Sequence, residues 1–393
     1  MPRSTKGSAM PFSRRAFVHT LGVGAAGLAI SGRGREGAFF GGETLFAQGA
    51  KPLLLSSNEN PLGCHPDVLA AVTGSMPAAG RYAFAAADEV SELVAKRHNV
   101  KRENVLLGSG STQILRTCTE VFTSKTSGLV AAIPAYEECA SYATLIGHPV
   151  TGVKLDASLK MDLDALQAAS KGAGLVFYCN PNNPVGTAVN GADTRAYLST
   201  LLKQSPNTTV LVDEAYFEYA TMPGYETMIP LAVENPRVVV ARTFSKCFGM
   251  AGLRIGYAIG HKDTIAKMEA WDSIDAISIM ALQGAKAAMA VPAAWVASEQ
   301  RRNADARAFT AKWFSDRGFT PTDSQTNFLF IDIQRPSRGF REACAKDGVI
   351  IGRDFPPYEQ THARISVGTM AEMQRAVKVF DKVLAAPAKA TAA

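Results

Sequence analysis

From about Leu53 onward the chain alternates short apolar runs, many of them β-branched, with longer segments of helical periodicity. Residues 104–107 after Asn104, 129–132, 175–178, 210–212, 238–240 and 255–259 are apolar at successive rather than alternate positions. That pattern predicts strands of a mostly parallel sheet covered on both faces. Between them, residues 88–98, 111–122, 136–146, 162–169 and 192–202 repeat apolar side chains at helical spacing, several opening on Asp or Ser as caps. The alternation makes the middle of the chain an α/β domain.

Beyond Gly260 the pattern changes. Long helices are expected over 263–290, in two pieces, and over 293–316. Strands at 326–331 and 363–367, with helices at 339–346 and 371–384, form a smaller C-terminal unit. The predicted organisation is a leader at 1–47, an N-terminal arm at 48–80, a large domain at 81–290 and a small domain at 291–393, with residues from Ala386 onward fraying.

Charge looks at first like a pointer to nucleic acid, because 41 Lys and Arg outnumber 35 Asp and Glu. Residues 1–47 hold six of the basic and two of the acidic residues, which leaves 35 against 33. The remainder carries no basic stripe, so nucleic-acid binding is not expected. The leader itself reads as a targeting signal. Ser13-Arg14-Arg15-Ala16-Phe17 precedes a weakly apolar run from Leu21 to Ile30, and Ala47 follows Leu45-Phe46. The run is too short to span a bilayer, and the paired arginines resemble the twin-arginine signal that the export machinery reads on folded proteins. A periplasmic or exported protein without stable membrane insertion is expected. Six dispersed cysteines with no C-x-x-C spacing support neither a disulfide framework nor a metal site.

Four polar landmarks fall where predicted strands end, which is where an open α/β sheet places ligands. Gly108-Ser109-Gly110-Ser111-Thr112 turns a strand into a helix, Asn180-Pro181-Asn182-Asn183-Pro184-Val185-Gly186 follows another, and Asp213-Glu214-Ala215-Tyr216 follows the next. Thr243-Phe244-Ser245-Lys246 follows a further strand, with Arg254 eight residues beyond the lysine. Singly, each has an ordinary explanation as a tight turn, a cap or a surface pair. Their joint order and spacing point to one site.

Together these motifs resemble the class I and II aminotransferases of fold type I, and within them the histidinol-phosphate aminotransferase-like group, over about Leu53 to Leu384. The resemblance implies a large domain built on a mostly parallel, seven-stranded type of sheet, a smaller α/β C-terminal domain, and pyridoxal 5'-phosphate as cofactor. It makes Lys246 the lysine that carries the cofactor covalently and shuttles the proton. A free lysine near pKa ~10.4 is a poor base at neutral pH, so burial and a neighbouring guanidinium must lower it. Asp213 is implied as the carboxylate that keeps the pyridine nitrogen protonated, Tyr216 and Asn183 as partners of the ring oxygen, and Tyr136 as the aromatic stacked on the ring. Gly110, Ser111, Thr112, Thr243, Ser245 and Arg254 are implied as the phosphate cradle, at a helix N-terminus suited to an anion. Tyr82 resembles the tyrosine that relatives lend to the phosphate of a neighbouring subunit, so a homodimer with shared active sites is implied.

For the substrate, Arg364 matches the arginine that forks onto the α-carboxylate. Asn60, in Asn58-Glu59-Asn60-Pro61-Leu62-Gly63, belongs to the segment that closes over the site, and Arg353 lies near where relatives place an arginine for the substrate's distal end. The expected reaction is a ping-pong transfer of an α-amino group from an amino acid or a histidinol-phosphate-like amine to a 2-oxo acid such as 2-oxoglutarate. Two alternatives stand beside it: decarboxylation of a phosphorylated amino acid on the same scaffold, and a non-catalytic module that only binds the cofactor.

Overall fold

The computed structural model describes residues 52–271 and 277–385. The proposed leader, residues 48–51 of the arm, residues 272–276 within the predicted helices at 263–290 and the tail expected to fray from Ala386 lie outside the described residues. Twelve strands are found among the described residues. These are β1 (Leu53–Leu55), β2 (Val105–Gly108), β3 (Leu129–Ile133), β4 (Val150–Lys154), β5 (Leu175–Cys179), β6 (Thr209–Asp213), β7 (Val238–Thr243), β8 (Gly256–Gly260), β9 (Thr320–Pro321), β10 (Phe328–Asp332), β11 (Val349–Ile351) and β12 (His362–Ser366).

Seven of them form one sheet in the order β2-β8-β7-β6-β5-β3-β4. Its pairs are parallel except those made by β8, which is antiparallel to both β2 and β7. This is the expected mostly parallel sheet, and β5, β6, β7 and β8 are buried at every position because helices cover both faces. The strand β4 went unread in the sequence. It is the sheet's edge, and Val153 alone of its five residues is buried, so Val-Thr-Gly-Val-Lys shows no apolar run.

The helix α1 (Pro66–Ser75), which no motif announced, and α2 (Phe84–His98) pack with α9 (Ile279–Ala290), α2 also packing on β2, the helices between being α3 (Gly110–Phe122), α4 (Glu138–Leu145), α5 (Leu163–Ala169), α6 (Gly191–Gln204), α7 (Ile229–Glu234) and α8 (Lys262–Glu269). Caps fix several of their starts: Asp162 Oδ1 accepts from the Ala165 N–H at 2.9 Å and Asn190 Oδ1 from the Asp193 N–H at 2.8 Å.

A second apolar core lies under β10 and β12. It gathers Leu329, Ile331 and Ile365 with Phe314 from α10 (Ala293–Ser315), Phe340 from α11 (Ser337–Lys346) and Phe380 from α12 (Met370–Ala385). Leu53 and Leu55 join it, because β1 pairs in parallel with β11. The arm is thereby fastened to the C-terminal core before it crosses the large sheet. The strand expected at 326–331 begins only at Phe328, since the Ser324 and Thr326 hydroxyls donate to the Phe328 carbonyl and hold the preceding residues in a side-chain-bonded turn.

Candidate active site

The ends of β2, β5, β6 and β7 open on a cavity of about 130 Å³ whose lining includes Ser111, Thr112, Tyr136, Asn183, Asp213, Tyr216, Thr243, Ser245, Lys246 and Arg254. Residues scattered from 111 to 254 meet here because parallel strands end on the same edge of the sheet.

Asp213 is the last residue of β6 and is 2% exposed. Its Oδ1 accepts from the Ala215 N–H at 3.2 Å, while Oδ2 has the Cys179 thiol at 3.9 Å. Burial raises its pKa to about 7, partly opposed by the Ala215 N–H and by the positive charge of Lys246. No cation pairs with it among the described residues, so the site offers a buried carboxyl to an outside positive charge.

Lys246 sits in the turn after β7 and points its Nζ to 3.4 Å from the Ser57 carbonyl and 5.6 Å from the centre of the Tyr216 ring. Burial, then the charge of Arg364 and, after Glu59, that of Arg254, bring its amine down to about 8; Glu59 and Asp213 pull the other way. Arg254 is the arginine near Lys246 along the chain, whereas Arg364, more than a hundred residues away, is the stronger lowering neighbour.

Opposite the lysine, Gly110 has φ +72°, and an ideal Cβ there would overlap Arg254 Nη2. Only glycine allows the first turn of α3 and this guanidinium to share one surface. A Cβ on Gly256 would come within 2.5 Å of the Ser111 nitrogen, which packs the start of β8 equally closely. Thr243 donates its hydroxyl hydrogen to Ser245 Oγ at 2.9 Å and accepts from the Ser245 N–H at 3.1 Å. First-turn N–H groups, four hydroxyls and an arginine with no carboxylate partner among the described residues suit a phosphate.

Arg364, 8% exposed on β12, donates to Asn183 Oδ1 at 2.7 Å and to the Ser56 carbonyl at 2.8 Å, while its Nε is buried without a partner. Phe355 stacks on its guanidinium at 4.4 Å. Burial lowers its pKa to about 10, and Arg364 makes no ion pair among the described residues, so a substrate carboxylate can supply the counter-charge. Asn183 passes the bond on by donating to the Tyr216 hydroxyl at 3.4 Å, where the Asn58 amide also donates at 3.0 Å. Ser366 donates to Asn58 Oδ1 at 2.8 Å.

Asn58 and Ser366 were passed over in the sequence. Asn58 lies two residues before Asn60 in the same motif and adopts φ +55°, a conformation Asn tolerates. Ser366 lies two residues after Arg364, so strand alternation sets both on one face. Three residues expected to serve the site are not in the lining of this cavity. Asn60 is bonded to the Cys247 carbonyl and to Glu299, not to the cavity. Arg353 pairs with Glu137 in a groove it lines with Tyr136 and Phe355, and Tyr82, implied as a contribution to a neighbouring subunit, is 79% exposed and stacks on Phe84 at 5.6 Å.

Comparison with known proteins agrees with this geometry. The family model "Aminotransferase class I and II" matches residues 50–380. The chain is 32% identical to the histidinol-phosphate aminotransferase of Symbiobacterium thermophilum over 332 residues, covering 84% of this chain and 90% of the relative. It is 31% identical to the enzyme of that name from Moorella thermoacetica, covering 84% of this chain and 85% of that one. The histidinol-phosphate aminotransferase of Sinorhizobium meliloti, solved in complex with pyridoxal 5'-phosphate, superposes with a TM-score of 0.80 at 25% identity, covering 88% of this chain and 95% of that chain. The chain belongs to the class I and II aminotransferases.

Proposed function

We propose that this aminotransferase binds pyridoxal 5'-phosphate at the end of the large sheet and moves an α-amino group from an amino acid or a histidinol-phosphate-like amine to a 2-oxo acid. The observation that carries the reading is a buried Asp213, without an ion pair among the described residues, in the same cavity as a lysine whose amine is brought to about 8. When bound, the cofactor supplies an electron-withdrawing pyridinium ring that stabilises negative charge at the substrate's α-carbon. Asp213 holds the ring-nitrogen proton by charge, and Tyr216 and Asn183 present an O–H and an amide to the ring oxygen. The α3 N-terminus, Thr243, Ser245 and Arg254 bind the phosphate. Arg364 orients the substrate carboxylate, and the Lys246 amine takes and returns the α-proton, for which a pKa near 8 suits neutral pH.

A homodimer fits the exposed apolar surface, in which Leu62, Leu69, Met76, Tyr82 and Phe84 are each more than half exposed. Tyr82 and Phe84 line one groove with Ile279 and Met280. Export rests on Ser13-Arg14-Arg15-Ala16-Phe17 and the apolar run behind it. An exported enzyme would meet amino donors other than a biosynthetic intermediate confined to the cytoplasm.

The test is a donor screen on purified protein with 2-oxoglutarate. New glutamate is expected; carbon dioxide without glutamate would assign the decarboxylase chemistry instead, and neither product with any donor would remove the reading.

A further inference from the structure

The arm crosses the site one residue at a time. The Ser56 carbonyl accepts from Arg364, the Ser57 carbonyl from Lys246, and the Asn58 amide donates to the Tyr216 hydroxyl. Asn327 Nδ2 fastens the strap from behind by donating to the Asn58 carbonyl at 2.9 Å. The crossing ends at Asn60, which is 6% exposed.

Every hydrogen-bonding position of the Asn60 amide is used. Its Nδ2 donates to the Cys247 carbonyl at 2.9 Å and to Glu299 Oε2 at 2.8 Å; its Oδ1 accepts from the Leu62 N–H at 3.0 Å and from Arg302 Nη2 at 3.4 Å. A flipped amide would set its oxygen against a carboxylate and a carbonyl, so the network allows one orientation. Glu299, 5% exposed, is neutralised by Arg302 at 2.9 Å and cannot turn away without leaving a buried charge unpaired. Cys247 directly follows Lys246, inside a turn closed by the Gly249 N–H donating to the Lys246 carbonyl at 3.0 Å. That turn is thus held from within by its own bond and from outside by Asn60.

We propose that Asn60, locked by Glu299 and Arg302, is a positioning residue that fixes the backbone after Lys246 and so the reach of its amine. This rests on Lys246 as the cofactor-bearing lysine, and it replaces the substrate contact expected of Asn60. The groups that set the charge around the amine are Arg364, Glu59, Arg254 and Asp213, with Tyr216 beneath it, and none of them is altered by changing Asn60.

The experiment compares the cofactor-loaded wild type with Asn60→Ala, Asn60→Leu and Asn60→Ser, and with Ala306→Gly, a stability control in the buried face of α10. The readouts are melting temperature, kcat and KM, and the pH midpoint of the visible cofactor absorbance. The Asn60 variants should lower kcat roughly ten- to hundredfold with KM within about threefold. They should also move the midpoint by about half a pH unit or more, as the loosened amine gains solvent. The serine, which keeps a short donor, should be the mildest and serves if the others do not fold. Variants that lose melting temperature like Ala306→Gly but keep kcat and the midpoint would reduce Asn60 to a cross-link. A raised KM with kcat intact would make it a substrate contact, and either result overturns the inference. A wild type with no visible band would strike the assignment of Lys246 itself, and the inference with it; a normal wild-type band with unmoved variant midpoints would strike the inference alone.

Discussion

Replacing Gly110 by alanine tests the phosphate site through a single methyl group. The left-handed φ of +72° costs an alanine about 1–2 kcal/mol, and the new Cβ must also displace the Arg254 guanidinium that occupies its space. The first term lowers the stability of the cofactor-free protein by a few degrees in melting temperature. The second removes one charge-assisted contact to the phosphate, about 1.5–3 kcal/mol, so the Kd for pyridoxal phosphate should rise roughly ten- to 150-fold. Titration of the apo protein, followed by absorbance, measures it. Pyridoxal without its phosphate is the control, and its affinity should change less than about threefold. Equal weakening of both ligands would mean that the substitution disorders the whole site, and no weakening of either would show that Arg254 and the α3 N-terminus do not bind the phosphate.

The rate at which apo protein captures pyridoxal phosphate should climb with pH and level off above about 8, because a lowered amine pKa makes the neutral, nucleophilic form appear at lower pH. In Arg364→Met that curve should move to higher pH, since a positive neighbour is gone; an unmoved curve would count against Arg364 as a cause. Arg353→Ala should raise KM by roughly tenfold or more for a phosphorylated or dicarboxylic donor while leaving a neutral donor nearly unchanged, and an equal loss for both would leave Arg353 as no more than the partner of Glu137. Changing Arg14 and Arg15 together to lysine should retain active enzyme in the cytoplasm on cell fractionation, and undiminished periplasmic activity would remove the export proposal.

What the sequence disclosed follows from how each feature is encoded. Fully buried parallel strands leave uninterrupted apolar runs, so β5, β6 and β7 could be read, and with them the strand-end positions of Asn183, Asp213 and Lys246. The edge strand β4 has no such signature, because solvent covers it, and the β1–β11 pair sets Leu-Leu-Leu against Val-Ile-Ile, apolar runs too short to tell a strand from a helix. The partners of Asn60 could not be read for a different reason. Its motif shows that the arm meets the site, but the partners that turn its amide away from the cavity, Glu299 and Arg302, lie on a helix more than two hundred residues later. Arg353 likewise sits near the expected place, and its pairing with Glu137 depends on the approach of two segments far apart in the chain.

Covalent trapping tests the central claim most directly. Purified protein loaded with pyridoxal phosphate is reduced with borohydride, digested and mapped by mass spectrometry. A single stable adduct on the peptide containing Lys246, absent from Lys246→Ala, is the result expected from a lysine held at a pKa of about 8 beside a buried Asp213. An adduct on any other lysine, or none on protein that is folded and saturated with cofactor, would contradict the account.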